Sequence, residues 1–529
     1  MATAIETAPH TETLASTPKL SRREYVHSLQ RLTVWLVGVG LLARLFRYLL
    51  DGSIWNDEAA VALNILRRDF EGLTHALDEK QVAPILFLWS QRLVMLTLGS
   101  SEWAMRLLPL LFGLGGLLLF WDLARRLLPP TAASLAVGVM AVARWPVLMS
   151  GTLKPYTADM FCSTLLMLLA VRWRHKPDRL WPLVAMVCLV PFALGMSYPT
   201  VFVAGAMSVY LLPAIWRSDD RRAKVLFVAY NAALVAAFGV VLALVLRQAA
   251  DPQTAELKQF MRAYWKHGFP PFNPLDFVWW FVKIHTGRLM SFPYGDGNGG
   301  STLPFLVFAT GVWASWKTQN RSLLVLCLTP FALNFLASVL RQYPYGACTR
   351  LSMHLAPAIC FMVGVGFAHL LESVADLGKR RQWAMGIFGL LFAIGIGQVL
   401  VDAYKPHREI YGRWMQDLSR DLETKLQPGD EIAYRSPIEG QRETFDWYMA
   451  RFGERVSWQG PPVVRSDTKR VWLIVLRTKE PGHDEEAELL AALGSGWETV
   501  SRREEMVQAA TRNCCAVYGT VHCLARTGD

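Results

Sequence analysis

The sequence has few charged residues and lacks the short motifs that mark many soluble enzymes. Only 18% of its 529 residues are charged, whereas 53% are hydrophobic and fall in long blocks, which argues against one large soluble core. It contains no Walker loop, no dinucleotide-binding fingerprint and no zinc-finger spacing. No Ser-His-Asp or Cys-His pattern indicates a covalent nucleophile, and no internal repeat is visible.

The sequence does contain apolar blocks of about the length that a helix needs to cross a bilayer. We count about eleven, at residues 32–50, 103–123, 131–149, 157–173, 180–197, 199–216, 224–246, 303–316, 322–340, 351–371 and 383–403. Many of the 20 tryptophans lie near block ends, where amphipathic rings favour the membrane interface. The blocks predict an α-helical polytopic membrane protein.

Basic clusters predict the orientation of these helices. They fall before the first block and in alternate short loops, at Lys19–Arg23, Arg125–Arg126, Arg172–Arg179, Arg217–Lys224, Lys317–Arg321 and Lys379–Arg381. The positive-inside rule places these clusters, and the N-terminal tail 1–30, in the cytoplasm. We expect the chain to lie in the inner membrane of the cell. The formal net charge of +11 then reflects topology and anionic lipid, and no nucleic-acid partner is predicted.

The remaining loops, 51–102, 150–156, 247–302 and 341–350, face the extracytoplasmic side in this topology. Residues 405–529 follow the 31–404 transmembrane domain, become more charged and contain no further span. They predict a small soluble α/β domain on the same side. Its expected elements are helices at Phe445–Met449 and Glu485–Leu493 and strands at Val471–Leu476 and Ala516–Val521. A disulfide from Cys523 to Cys514 or Cys515 would suit that compartment.

Two adjacent carboxylates, Asp57 and Glu58, follow the first block directly. Ionisable groups at the membrane face are costly and are therefore candidates for chemistry. If both open a helix, their side chains point about 100° apart. One could then accept a proton from a hydroxyl while the other holds a metal or a second hydroxyl. Alternatively, both only complement the helix dipole behind Asn56 as the cap.

Other residues on the same predicted side suit phosphate, sugar or a metal. Asp159 could share a divalent cation with Asp57 or divide acid and base roles with it, or else pair with Lys154 or cap its helix. Arginine favours bidentate contact with phosphate or carboxylate, and tyrosine can stack on a sugar. The candidate binding residues are Glu79, Lys80, Arg106, Lys154, Tyr156, Tyr343, Tyr345 and Arg350. For the pair at 79–80, the alternative is a solvated ion pair.

The order of these features resembles the GT-C superfamily of integral-membrane glycosyltransferases, especially the branch of protein O-mannosyltransferases and lipid A aminoarabinose transferases. The resemblance is closest over residues 30–175 and looser to 405. Its carrying features are Asp57-Glu58, Glu79-Lys80 before Pro84, Arg106-Leu107-Leu108-Pro109-Leu110-Leu111-Phe112-Gly113, Lys154-Pro155-Tyr156-Thr157-Ala158-Asp159 and Tyr343-Pro344-Tyr345-Gly346 through Arg350. The segment 80–84 departs from the pattern, because it lacks the Lys-Pro-Pro of the aminoarabinose transferases, which leaves the acceptor and any metal open.

The resemblance implies a polyprenyl-phosphate sugar donor, hexosyl or pentosyl transfer, and a lipid, glycan or protein acceptor in the cell envelope. It implies Asp57 as the general base with Asp159 in the same site, Arg106 as a brace, and Lys80 and Arg350 at the donor phosphate.

Two other functions are compatible with a polytopic chain. A transporter or flippase of polyprenyl-linked glycans would use carboxylates as a proton relay. That function predicts charged residues inside the spans and two halves of the sequence that resemble each other. A non-catalytic membrane scaffold would leave Asp57, Asp159 and Arg350 as unrelated surface charges. We expect a glycosyltransferase because these three residues share one predicted face.

Overall fold

Helices of membrane-spanning length dominate the computed structural model, which describes residues 21–249, 259–260, 262–407, 410–435, 442–458, 464–465, 467–478, 485–508 and 517–527. Every predicted block coincides with a helix or a helix pair. These are Arg22–Leu49, Glu102–Leu127, Pro130–Ala141 with Arg144–Ser150, Tyr156–His175, Trp181–Met196, Thr200–Arg217, Arg221–Ala249, Thr302–Lys317, Arg321–Val339, Ala356–Glu372 and Leu377–Tyr404.

Length and hydropathy qualify seven of the described helices as membrane spans, or eight if the bent pair counts as one. Three predicted spans fall outside this set for simple reasons. Trp181–Met196 and Thr302–Lys317 have only 16 residues each. Tyr156–His175 has 20 residues but carries acidic and basic side chains at its ends. The chain is a multi-pass membrane protein with the predicted fold class.

The third span is one block in the sequence but two helices in the structure, bent by 47° near residues 142–143. Pro146 has no N–H to donate to the carbonyl of Val142, and the side chain of Gln398 donates to it instead at 2.8 Å. Arg44, fully buried in the first span, donates to two other carbonyls beside the break. Lipid could not satisfy these carbonyls, so both side chains stabilise the bend.

Shorter helices lie between the spans. Asn56–Arg67 begins just after the first span, and Glu58 in its first turn accepts a hydrogen bond from the backbone N–H of Trp55 at 3.4 Å. The apolar run after Pro84 forms Ile85–Leu98, whose 14 residues are too few to span a bilayer. Pro274–Thr286 is a further short helix. None of these three helices, with 12, 14 and 13 residues, is long enough to span a bilayer.

The C-terminal part is a small α/β domain, as predicted. After the helix Ile410–Lys425, the described residues include the strands β1 Asp430–Arg435, β2 Val456–Trp458, β3 Arg470–Thr478, β4 Trp497–Gln508 and β5 Val517–Arg526. These five strands form a sheet of order β2-β1-β3-β5-β4. β1 pairs in parallel with β2 and β3, whereas β5 runs antiparallel to β3 and β4.

Both helices predicted in this domain are confirmed, as Arg442–Met449 and Glu485–Leu493. The predicted strand Val471–Leu476 lies within β3, and most of the predicted Ala516–Val521 lies within β5. Residues 514–516 fall outside the described residues, so the disulfide to Cys523 stays a prediction.

Candidate active site

Within the described part of the chain, seven separated segments line a cavity of about 870 Å³. Eight of the predicted site residues are on its wall: Asp57, Glu79, Lys80, Lys154, Tyr156, Asp159, Tyr343 and Arg350. They come from positions up to 293 residues apart in the sequence. The fold therefore brings most of the predicted site together.

Asp57 lies in the first turn of the Asn56–Arg67 helix, between two cations. Lys154 Nζ donates to Asp57 Oδ1 at 2.9 Å, and Arg350 Nη1 donates to Oδ2 at 3.2 Å. Burial raises the pKa of Asp57, but the charges of Lys154 and Arg350 outweigh burial and hold this pKa below its usual value. The Asp57 side chain remains 26% exposed, so the carboxylate is ionised and reachable from the cavity.

Lys154 is held by a second acceptor that sequence reasoning missed. Its Nζ donates to Gln81 Oε1 at 2.7 Å as well as to Asp57. Burial lowers the pKa of Lys154, and the charge of Asp57 partly offsets this effect. The sequence did contain a signal for Gln81, because this residue lies in the segment 80–84 that departs from the family pattern.

The guanidinium of Arg350 lies among three aromatic rings, those of Trp55, Tyr156 and Trp265, with centroid distances of 5.7, 5.9 and 5.7 Å. These distances are typical of cation–π contacts. Its Nε is buried and has no hydrogen-bond partner within the described part of the chain. Arg350 therefore retains a donor that an anion could satisfy. Trp55 and Trp265 were not predicted as site residues.

Asp159 is 3% exposed and lies on the cavity wall, in the first turn of Tyr156–His175. Its Oδ1 has no hydrogen-bond partner among the residues that the structure describes. Lys154, the partner suggested by the alternative interpretation, pairs with Asp57. A buried carboxyl oxygen without a partner is costly, so Asp159 is suited to meet a polar group of a ligand.

The segment with Glu79 and Lys80 bends into the cavity through an unusual backbone. Both residues have positive φ, 56° and 54°, which costs free energy for residues other than glycine. Lys80 Nζ lies 5.0 Å from the ring centroid of Phe260. Burial and the nearby carboxyl of Glu443 raise the pKa of Glu79. Glu443 belongs to the C-terminal domain, and no sequence signal connected it to this site.

Glu58 and Arg106 do not line this cavity but form a buried ion pair behind it. Arg106 Nη2 and Nε donate to the two Glu58 oxygens at 2.9 and 3.1 Å. Glu58 Oε1 also accepts the backbone N–H of Leu153 at 2.6 Å. The pair ties the helix of Asp57 to the second span and to the segment of Lys154.

The two predicted tyrosines of the 341–350 loop differ in position. Tyr343 lines the cavity and its hydroxyl donates to the carbonyl of Leu351 at 2.9 Å. Tyr345 is buried away from the cavity, where its hydroxyl lies 3.1 Å from Nε2 of His285. Tyr343 can contact a ligand directly, whereas Tyr345 packs the loop.

The predicted metal site has a poor donor set. Among the described residues, no group of three or more His, Cys, Asp or Glu side chains is arranged to hold a metal ion. Both oxygens of Asp57 face cations, which would repel a divalent ion. Asp57 and Asp159 therefore do not fit the metal prediction.

Comparison with known proteins identifies similar folds. A family model described as dolichyl-phosphate-mannose-protein mannosyltransferase matches residues 82–244. The structure is similar to that of ArnT from Cupriavidus metallidurans bound to undecaprenyl phosphate, with 14% sequence identity over 92% of this chain and 97% of ArnT and a TM-score of 0.50. The chain has the GT-C fold. The resemblance that the sequence suggested is thus confirmed at the level of the fold.

A second similar structure is that of the Archaeoglobus fulgidus oligosaccharyltransferase in complex with Zn and sulfate. It shares 10% identity over 82% of this chain and 67% of its own, with a TM-score of 0.45. A search of curated proteins finds no significant match.

Proposed function

We propose that this chain is a membrane glycosyltransferase that moves a sugar from a polyprenyl-phosphate donor to an acceptor hydroxyl. The observation that carries the proposal is an ionised Asp57 held between Lys154 and Arg350 on the wall of a large cavity. The undecaprenyl phosphate bound to ArnT supports the donor class. We place the cavity on the extracytoplasmic side of the inner membrane, with the N-terminus in the cytoplasm.

The cations that neutralise Asp57 are also the groups that would bind the donor phosphate. Arg350 has a buried Nε without a partner in the described residues, and Lys154 is a point charge beside it. A donor phosphate would compete with Asp57 for both. Once they contact phosphate, the pKa of Asp57 rises towards its usual value, so donor binding makes the carboxylate a better base.

The transfer step is a direct displacement. The acceptor oxygen forms a bond to the anomeric carbon, the bond from that carbon to the phosphate oxygen breaks, and polyprenyl phosphate leaves with the electron pair. Asp57 takes the proton of the acceptor hydroxyl, while Lys154 and Arg350 stabilise the charge on the leaving phosphate. A single displacement inverts the anomeric centre.

The other cavity residues bind and orient the substrates in this proposal. Lys80 assists at the phosphate, Asp159 accepts a hydrogen bond from a hydroxyl of the sugar or acceptor, and Tyr156 and Tyr343 contact the sugar. Glu58 and Arg106 act from behind by fixing the helix of Asp57. Glu79 lines the same cavity.

The experiment that tests the proposal uses the purified protein in liposomes with a radiolabelled polyprenyl-phosphate sugar pool and an envelope extract as the acceptor source. Protein-free liposomes are the control. Label transferred to an acceptor supports the proposal. Donor that crosses the bilayer without any transfer would contradict it and favour the flippase alternative.

A further inference from the structure

The short segment Asp51–Ile54 joins the first span to the helix of Asp57, and its position sets that of the base. The carbonyls of Gly52 and Ser53 accept hydrogen bonds from Arg106 in the second span. The backbone N–H groups of Ser53 and Ile54 have side-chain acceptors, and both acceptors belong to residues that follow the last span.

Tyr448 and His407 are these acceptors. The N–H of Ile54 donates to the hydroxyl of Tyr448 at 2.9 Å. The N–H of Ser53 donates to Nδ1 of His407 at 3.0 Å. Arg420 adds an ion pair to Asp51 at 2.8 Å. Three separate parts of the C-terminal region thus contact one four-residue segment.

The backbones also approach closely, which is an independent sign of a fitted contact. A Cβ atom on Gly52 would lie 2.5 Å from the carbonyl oxygen of Pro406, and one on Gly412 would lie 2.9 Å from Oγ of Ser53. No real side chain tolerates the first distance without a shift of backbone. Because Gly52 has no side chain, the C-terminal region can pack directly against the segment.

The geometry points to Tyr448 and His407 as positioning residues, through which the C-terminal domain fixes the backbone before Asp57 and so completes the active site. The Arg442–Met449 helix has two roles in this arrangement, because Tyr448 holds the segment and Glu443 lines the cavity. Misplacement of a catalytic group by about 1 Å can cost about a hundredfold in rate. The inference rests on the proposed function only for its effect on catalysis.

The first test does not depend on activity. Hydrogen–deuterium exchange of peptides covering residues 51–55 is compared between wild type and Tyr448→Phe. We expect the amide of Ile54 to exchange at least about tenfold faster in the variant, because it loses its acceptor. Tyr230→Phe is the matched control, since it also removes a buried hydroxyl with a backbone partner, the carbonyl of Ala204 at 2.9 Å. Equal exchange in wild type and Tyr448→Phe would overturn the inference.

The second test is kinetic. Tyr448→Phe should lower kcat about tenfold with KM changed less than twofold, and Tyr230→Phe should change neither. His407→Leu should lower kcat in the same way, whereas His407→Asn, which keeps an acceptor near the position of Nδ1, should restore most of it. A loss of kcat in Tyr230→Phe equal to that in Tyr448→Phe, or no rescue by asparagine, would contradict positioning. A wild type without transfer activity would defeat the proposed function, while the exchange result would still decide the inference.

Discussion

Asp57 and Glu58 are neighbours in the sequence, both acidic and both in the first turn of one helix, yet they occupy opposite environments. Asp57 faces the cavity with its side chain 26% exposed, between cations that also line the cavity. Glu58 is 2% exposed and is satisfied by Arg106 and by the N–H of Leu153. One carboxylate is available for exchange with a ligand, and the other is committed to the fold.

At the start of a helix, two successive residues can therefore have different roles, one in the candidate active site and one in stabilising the fold. Successive helical side chains point about 100° apart, which is enough to place one in the cavity and the next behind the wall. Both carboxylates also complement the helix dipole, so the dipole interpretation and the site interpretation are compatible. The same substitution at Asp57 and at Glu58 should therefore affect activity in the first case and stability in the second.

The largest expected effect on stability comes from Glu58→Gln. It leaves Arg106 buried without its countercharge, which costs about 3–5 kcal/mol in comparable buried pairs. The unfolding temperature in detergent should fall clearly. Asp417→Asn is the control, because its pair with Arg413 is more than half exposed and should be worth under about 1 kcal/mol. Equal stability of Glu58→Gln and wild type would remove the scaffold role.

Arg350→Met tests whether the cations around Asp57 bind the donor phosphate. It removes a charged donor from the proposed phosphate site, so the affinity for polyprenyl phosphate should fall about ten- to a hundredfold. Arg341→Met is the matched control from the same loop, because Arg341 packs on Phe269 and Phe272 outside the cavity. Titration in nanodiscs measures both. Equal losses in the two variants would argue against a specific site.

A smaller effect is expected on the pH profile of Lys154→Met. The charge of Lys154 helps to keep the pKa of Asp57 below its usual value against the effect of burial. Without it, this pKa rises, so protonation of the base begins at higher pH. The acidic limb of the rate profile should move to higher pH relative to wild type. A limb that stays or moves to lower pH would exclude Asp57 as the titrating base.

The smallest effect is expected for Gln81→Ala. Gln81 shares Lys154 with Asp57 through one hydrogen bond of 2.7 Å. Loss of such a bond is worth about 1 kcal/mol, or about fivefold in affinity for the donor. Gln342→Ala is the control, because the exposed side-chain amide of Gln342 donates to the carbonyl of Leu340 within its own loop; it should leave affinity unchanged.

The sequence predicts much of this architecture because long apolar blocks have few physical alternatives. It also predicts Asp57, Lys154 and Arg350 as members of one site, since the topology rule places their loops on one side. It does not predict the division between Asp57 and Glu58, because that depends on which side of the helix meets Arg106. The break in the third span needs Gln398 and Arg44, which are distant in sequence.

The contribution of the C-terminal domain could not be predicted for a similar reason. The sequence indicates its strands and helices through local hydrophobic patterns. Its docking depends on the hydroxyl of Tyr448 and on the close approach at Gly52, which involve single atoms and no periodic pattern. Contacts of this kind become visible only in three dimensions.

The most direct test of Asp57 as the base measures donor binding and sugar transfer on the same samples of wild type and Asp57→Asn in nanodiscs. We expect Asp57→Asn to bind polyprenyl phosphate at least as tightly as wild type, because the competing carboxylate is gone. We expect transfer to be about 10²- to 10⁴-fold slower, the usual contribution of a general base. Transfer at the wild-type rate would show that Asp57 is not the base.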